Sequence, residues 1–106
     1  EKIAFSCCDE PSILLELERS GKKSVIICGI EAHVCVLQTV TDLIAAGFLP
    51  VVVADCISSR RAEDKKVALE RMRSEGAVIT TSESILFELT RAAGNETFKA
   101  ISKLVK

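Results

Sequence analysis

The sequence has no Trp and no Tyr, a single His, a single Met and only two Pro among 106 residues. Two of the best base-stacking side chains are therefore missing. Neither sign of charge dominates, with 14 Lys and Arg against 15 Asp and Glu for a formal net charge of −1. No basic field is available to hold a phosphate backbone, so no nucleic-acid partner is expected. Long apolar runs are also lacking. The longest, about five or six residues, fall far short of the roughly 20 that span a bilayer, and no membrane partner is expected.

The opening "EKIAFSCC" lacks the basic start and long apolar stretch of a signal peptide. A start on Glu suggests that the chain begins inside a longer protein. The five cysteines, Cys7, Cys8, Cys28, Cys35 and Cys56, are odd in number and contain no CxxC pair. Adjacent Cys7 and Cys8 suit neither a disulfide framework nor a zinc knuckle. Reduced thiols in the cytoplasm are the expectation, with no metal and no cofactor.

What is present is the composition of a folded domain: 48% hydrophobic and 27% charged residues. A chain of this size buries roughly 60–70% of its unfolded surface, enough for one core. Residues 1–106 are accordingly expected to lie in a single domain. Its strands are announced by continuous apolar runs, "SVIIC" (24–28), "PVVVAD" (50–55) and "GAVIT" (76–80), as in parallel strands covered on both faces. "KIAFS" (2–6) is a shorter fourth candidate.

Helical patterns separate these runs. "DEPSILLELERSG" has acids and Pro11 at its start and Gly21 as its stop. "HVCVLQTVTDLIAAG" aligns Val36, Val40, Leu43 and Ile44 on one face and ends at Gly47. "AEDKKVALERMRSEG" places acids early and bases late, complementing the helix dipole. "TTSESILFELTRAAG" and "NETFKAISKLVK" each begin with a capping residue. Strands alternating with helices predict a three-layer α/β, Rossmann-like fold: a parallel sheet flanked by helices. Ligands of such sheets bind beyond the carboxyl ends of the strands. There "CGIEAHVC", "DCISSRR" and "TTSES" converge.

The stretch "GIEAHVCV" (29–36) holds the only histidine, His33, and Cys35, where a strand hands over to a helix. A cysteine in the first turn of a helix feels the positive end of the dipole, which favours the reactive thiolate. Unpaired amides of the same turn suit the oxyanion of a tetrahedral adduct. Read alone, however, the stretch favours a plainer account: Cys35 a small core residue and His33 a surface helix position. A His33/Cys35 metal pair is weaker still, because residues two apart do not share a helix face.

The run "CGIEAHVCVLQTVTDLIAAGFLPVVVADCISSR" resembles the core signature of the isochorismatase-like cysteine hydrolases. It matches G-[IV]-x-x-x-x-C-V followed by D-[AC]-x-[SG]-R at Gly29, Ile30, Cys35, Val36, Asp55, Cys56, Ser58 and Arg60. "RMRSEGAVITTSESILFEL" and "FKAISKLVK" resemble the isochorismatase-domain-containing branch in particular. The resemblance spans essentially the whole chain. It implies that Cys35 is the nucleophile and that Lys2, in "EKIAFS", keeps it anionic. It implies a non-proline cis peptide at Ile30–Glu31, which turns the amides of Glu31 and Cys35 toward the oxyanion. It gives His33 no catalytic part.

The family's catalytic aspartate lies on a first strand upstream of everything in this sequence. Asp9, Asp42 and Asp55 stand in the wrong places to replace it. The domain is thus expected to be incomplete at its N-terminus, the chain being the C-terminal part of an enzyme. The implied activity is hydrolysis of a C–N bond in a small amide or related carbonyl compound, through a thioester. The alternatives are a non-catalytic interaction or scaffold protein keeping the fold, and a redox-sensing thiol protein. Partners are expected to be a small-molecule substrate, and either further copies in a homo-oligomer or the missing N-terminal segment. Among the remaining residues, Arg60 and Arg61 are expected to pair with nearby Glu63 and Asp64. Asp55 is expected to accept loop amides, Cys28 and Cys56 to sit in the core, and Cys7 and Cys8 to be inert packing near the pocket.

Overall fold

A computed structural model describes residues 6–90. The strand expected at 2–6, except Ser6, and the helix expected at 95–106 lie outside the described residues, and Lys2 with them. After a single 3₁₀ turn (Cys7–Asp9), the elements run α1 (Pro11–Ser20), β1 (Ser24–Ile30), a π-helical turn (Ala32–Val36), α2 (Leu37–Ala45), β2 (Leu49–Ser58), α3 (Ala62–Ser74), β3 (Val78–Thr80) and α4 (Ser82–Thr90).

Local chemistry accounts for most boundaries. Pro11 opens α1, where its missing N–H is no loss. Gly21 closes it in the left-handed conformation, φ 71°. Thr81 caps α4, its Oγ1 accepting from the Ser84 amide at 3.3 Å. In α3, Glu63 and Asp64 occupy the first turn and Arg71 and Arg73 the last, each sign at its favourable end of the dipole.

The described strands form one parallel sheet in the order β1-β2-β3. Ile27, Val52 and Ile79 lie side by side in register. Their common face packs against the helices: Val36, Leu37 and Val40 from the turn and α2, and Ala68 and Met72 from α3, close on Val52 and Ile57. Val53 points to the opposite face and is 3% exposed, while α4 packs on β2. The sheet is therefore flanked by helices on both sides. On that second face the next registered row, Ile26–Val51–Val78, is less well covered, with Ile26 52% and Val78 44% exposed.

Two differences from the sequence reading matter for the site. β2 runs on to Ser58, and its register with β1 jumps between Ile27↔Val52 and Gly29↔Ile57. The extra β2 residues bulge out, which leaves Cys56 exposed rather than in the core. Cys28 is exposed as well, because it shares the uncovered side of β1 with Ile26. Helix formation also begins differently, since Cys35 lies in a π turn before α2 and not in a first α-turn.

Candidate active site

Gly29 adopts φ 131°, and the Ile30–Glu31 peptide that follows is cis. Both sit where β1 ends at the carboxyl edge of the sheet. The Glu31 carbonyl then accepts from the amides of Val34 (3.1 Å) and Val36 (3.2 Å). The Ala32 carbonyl accepts from Leu37. Bonds reaching five residues along widen the turn compared with an α-helix. Ala32, fully buried beneath it, and Val36, 5% exposed, anchor it on the core.

Cys35 is half-buried and lines a groove of about 270 Å³ with Ile26, Cys28, Ile30, Thr39 and Cys7. Residues 6–8 are tied to it through Thr39. The Cys7 amide donates to Thr39 Oγ1 at 2.9 Å, and the Cys8 thiol to the Thr39 carbonyl at 3.9 Å. Ser6, 1% exposed, accepts the Cys8 amide at 3.1 Å. Thr39 stands one turn beyond Cys35, so this tie brings the segment that follows Lys2 against the groove. Cys7 thus lines the groove. Burial pushes the Cys8 thiol up, with the Ser6 hydrogen bond acting the other way. None of the cysteines among the described residues is in a disulfide.

The opposite flank of the turn is polar. Glu31 Oε1 accepts from Arg60 Nη2 at 3.2 Å, which holds the Glu31 carboxyl below the usual carboxylate range. Its other oxygen, Oε2, is out of solvent contact with no hydrogen-bond partner among the described residues. His33 Nδ1 is 2.9 Å from Ser59 Oγ, and its Nε2 is 3.9 Å from Asp64 Oδ2. At 29% side-chain exposure His33 is not the surface position of the plainer reading. Arg60 pairs with an acid, yet that acid is Glu31 across the sheet edge rather than Glu63 or Asp64.

Asp55 performs the role foreseen for it. Its carboxylate accepts the Ser82 amide at 2.8 Å and the Ser82 hydroxyl at 2.5 Å, tying β2 to the start of α4. Those bonds hold its carboxyl below the usual range. Sequence reasoning missed the His33–Ser59–Asp64 cluster. The only available signal was the "SSRR" run directly after a motif strand. No group of three or more His, Cys, Asp or Glu among the described residues is arranged to hold a metal ion. No helix among them is long and apolar enough to cross a membrane.

The isochorismatase domain, as a family description, matches residues 1–84. Isochorismatase family protein 1B of Dictyostelium discoideum is 44% identical over 100% of this chain and 52% of its own length. The secreted isochorismatase effector Isc1 of Phytophthora sojae is 53% identical over 80% of this chain and 40% of its own. The chain thus spans about half the length of the curated relatives it matches. Among solved structures, MAR1 ribonuclease from Caenorhabditis elegans superimposes with a TM-score of 0.86 at 40% identity, covering 98% of this chain and 53% of that one. The octameric YcaC hydrolase of Escherichia coli, of unknown specificity, gives 0.79 at 28%, covering 87% and 44%. Nicotinamidase PncA from Bacillus subtilis gives 0.72 at 26%, covering 76% and 44%.

Proposed function

The chain belongs to the isochorismatase family, and from that premise we propose that it is the C-terminal part of a cysteine hydrolase cleaving a C–N bond of a small amide or related carbonyl compound. The observation that carries this reading is the position of Cys35, on a turn at the carboxyl edge of the sheet and open to a groove. In the proposed reaction, Cys35 Sγ attacks the carbonyl carbon while the carbonyl oxygen takes up negative charge. The amides of Glu31 and Cys35 receive that charge, and fixed dipoles of this kind are a large source of rate. The aspartate base takes the thiol proton and passes it to the leaving nitrogen as the tetrahedral adduct collapses, so the C–N bond breaks and a neutral amine leaves. The resulting thioester is hydrolysed by water, releasing the acid and the thiol. Lys2 supports the thiolate. The general base is an aspartate on a strand of the other half of the domain.

Residues 1–106 form, on this reading, one part of a single domain whose remainder lies along β1. Two observations support it: the relatives are about twice as long, and β1 is the edge of the described sheet with Ile30 71% exposed. Apolar edges are normally paired or covered. The nicotinamidase neighbour supports an amide substrate. The ribonuclease name of another neighbour finds no support in this chain's own residues, which carry no excess of positive charge and no Trp or Tyr.

The test uses the full-length protein with a panel of small primary amides, and mass spectrometry of protein quenched during turnover. An added acyl mass on the Cys35 peptide is expected, absent from Cys35→Ser, whose fold stays intact. Turnover by Cys35→Ser at the wild-type rate would sink the mechanism. Cys7, Cys28 and Cys35 share one groove, which favours a second reading, a redox-sensing thiol protein. A disulfide formed among them under mild peroxide, in a protein that hydrolyses no amide, is the result that would select it.

A further inference from the structure

Glu31 and His33 stand on either side of fully buried Ala32, and both reach away from the groove to the loop that follows β2. Glu31 meets Arg60 at 3.2 Å. His33 meets Ser59 at 2.9 Å through Nδ1 and faces Asp64 at 3.9 Å through Nε2. Cys35, two positions on, opens to the groove instead. The turn is therefore held by side chains on one flank and open to ligand on the other.

We infer that His33 is a positioning residue for the nucleophile: through Ser59 and Asp64 it fixes the turn carrying Cys35 to the loop after β2 and to the first turn of α3. Its role is to hold the turn. The charged groups around it are Asp64 from α3 and the Glu31–Arg60 pair beside it. The Nδ1 contact dominates, because 2.9 Å is a hydrogen bond and 3.9 Å is at most a loose ion pair. Nucleophiles must be held to within a fraction of an ångström, and misplacing one by about 1 Å can cost about a hundredfold in rate. The inference rests on Cys35 being the nucleophile, so the experiment separates the two ideas.

The probe is iodoacetamide at pH 7 on the full-length protein, with alkylation of each cysteine followed by peptide mass spectrometry. In the wild type, Cys35 should react faster than Cys56, which is exposed and lies outside the groove. His33→Ala should slow Cys35 by about fivefold, the factor of one lost hydrogen bond, and leave Cys56 unchanged. His33→Asn, whose amide reaches the Nδ1 position, should restore most of the rate. His33→Gln, which reaches the Nε2 position, should not. Ser59→Ala, a milder change, should reproduce the loss, and combining it with His33→Ala should add nothing further. If Cys35 reacts fast in the wild type and equally fast in both His33→Ala and Ser59→Ala, the positioning role is refuted and the nucleophile stands. If wild-type Cys35 is no faster than Cys56, the nucleophile itself is refuted and the inference falls with it.

Discussion

Met72→Ala is the sharpest test of the packing that supports the site. Met72 is 0% exposed, and it belongs to one buried cluster with Ala32 and Val36 of the turn, Val52 of the sheet, and Ala68 and Ala77. Truncation removes everything beyond Cβ. Burying a side chain of this size is worth about 1.5–3 kcal/mol by transfer alone. A cavity term adds to this, because the alanines around it are too short to fill the space. The sum falls in the range of about 2–5 kcal/mol for Met→Ala in a core, and about 3 kcal/mol is expected here. Domains of ordinary stability hold only about 5–15 kcal/mol in total, so the loss is a large fraction. Urea unfolding of the full-length protein should show the midpoint falling by about 1–3 M, with the slope unchanged. Val67→Ala is the matched control, on the same helix but 44% exposed, and should stay within about 0.5 kcal/mol of wild type. Equal midpoints for the two variants would refute the placement of α3 against the sheet.

Gly29→Ala should cost about 1–3 kcal/mol, since φ 131° suits only glycine although an added Cβ would meet nothing; a neutral result by urea unfolding would contradict that backbone. Asp55 has a folded pKa below its unfolded value because Ser82 bonds its carboxylate. Its contribution to stability is therefore complete above the ordinary carboxylate value of about 3.9 and lost as the pH falls below it. Asp55→Asn should flatten the fall in urea midpoint below about pH 4, and an unchanged acid limb would dismiss the Ser82 clasp. The 106-residue chain taken alone should self-associate in light scattering, because the row Ile26–Val51–Val78 is left partly bare. Ile26→Thr with Val78→Thr should weaken that association, whereas a monodisperse monomer of the unaltered chain at high concentration would contradict it.

The sheet was readable because each strand is a short unbroken run of β-branched residues, and a strand covered on both faces needs no alternation. Helix ends were readable for a different reason: Pro11, Gly21 and Thr81 impose local geometry that owes little to the rest of the chain. The π turn was not readable. Nothing in "EAHVCV" distinguishes a bond to the fifth residue from one to the fourth. The exposure of Cys28 and Cys56 was missed because apolar neighbours in sequence say nothing about which face of a strand is covered. Arg60 was assigned to acids close in sequence, yet the strand register sets Ile30 beside Ser58. That register brings Glu31 to it across 29 positions.

The same register explains why the site's chemistry is divided between two flanks. Because β2 carries extra residues opposite Ile27–Gly29, its last pair, Ile57 and Ser58, lies against Gly29 and Ile30, and the loop beginning at Ser59 emerges beside the turn. Without the bulge, Ser59 and Arg60 would lie further along and could not meet His33 and Glu31. The bulge thus supplies polar clasps to one side of the turn while the other side, lined by Ile26, Ile30 and Cys35, stays apolar and open. Deleting one residue from the Val53–Cys56 bulge should therefore reverse the facing of the segment, since a one-residue slip in a strand flips every side chain. Ile57 would leave the core, and Arg60 would lose Glu31. The bulge belongs to the site although no atom of it touches the groove.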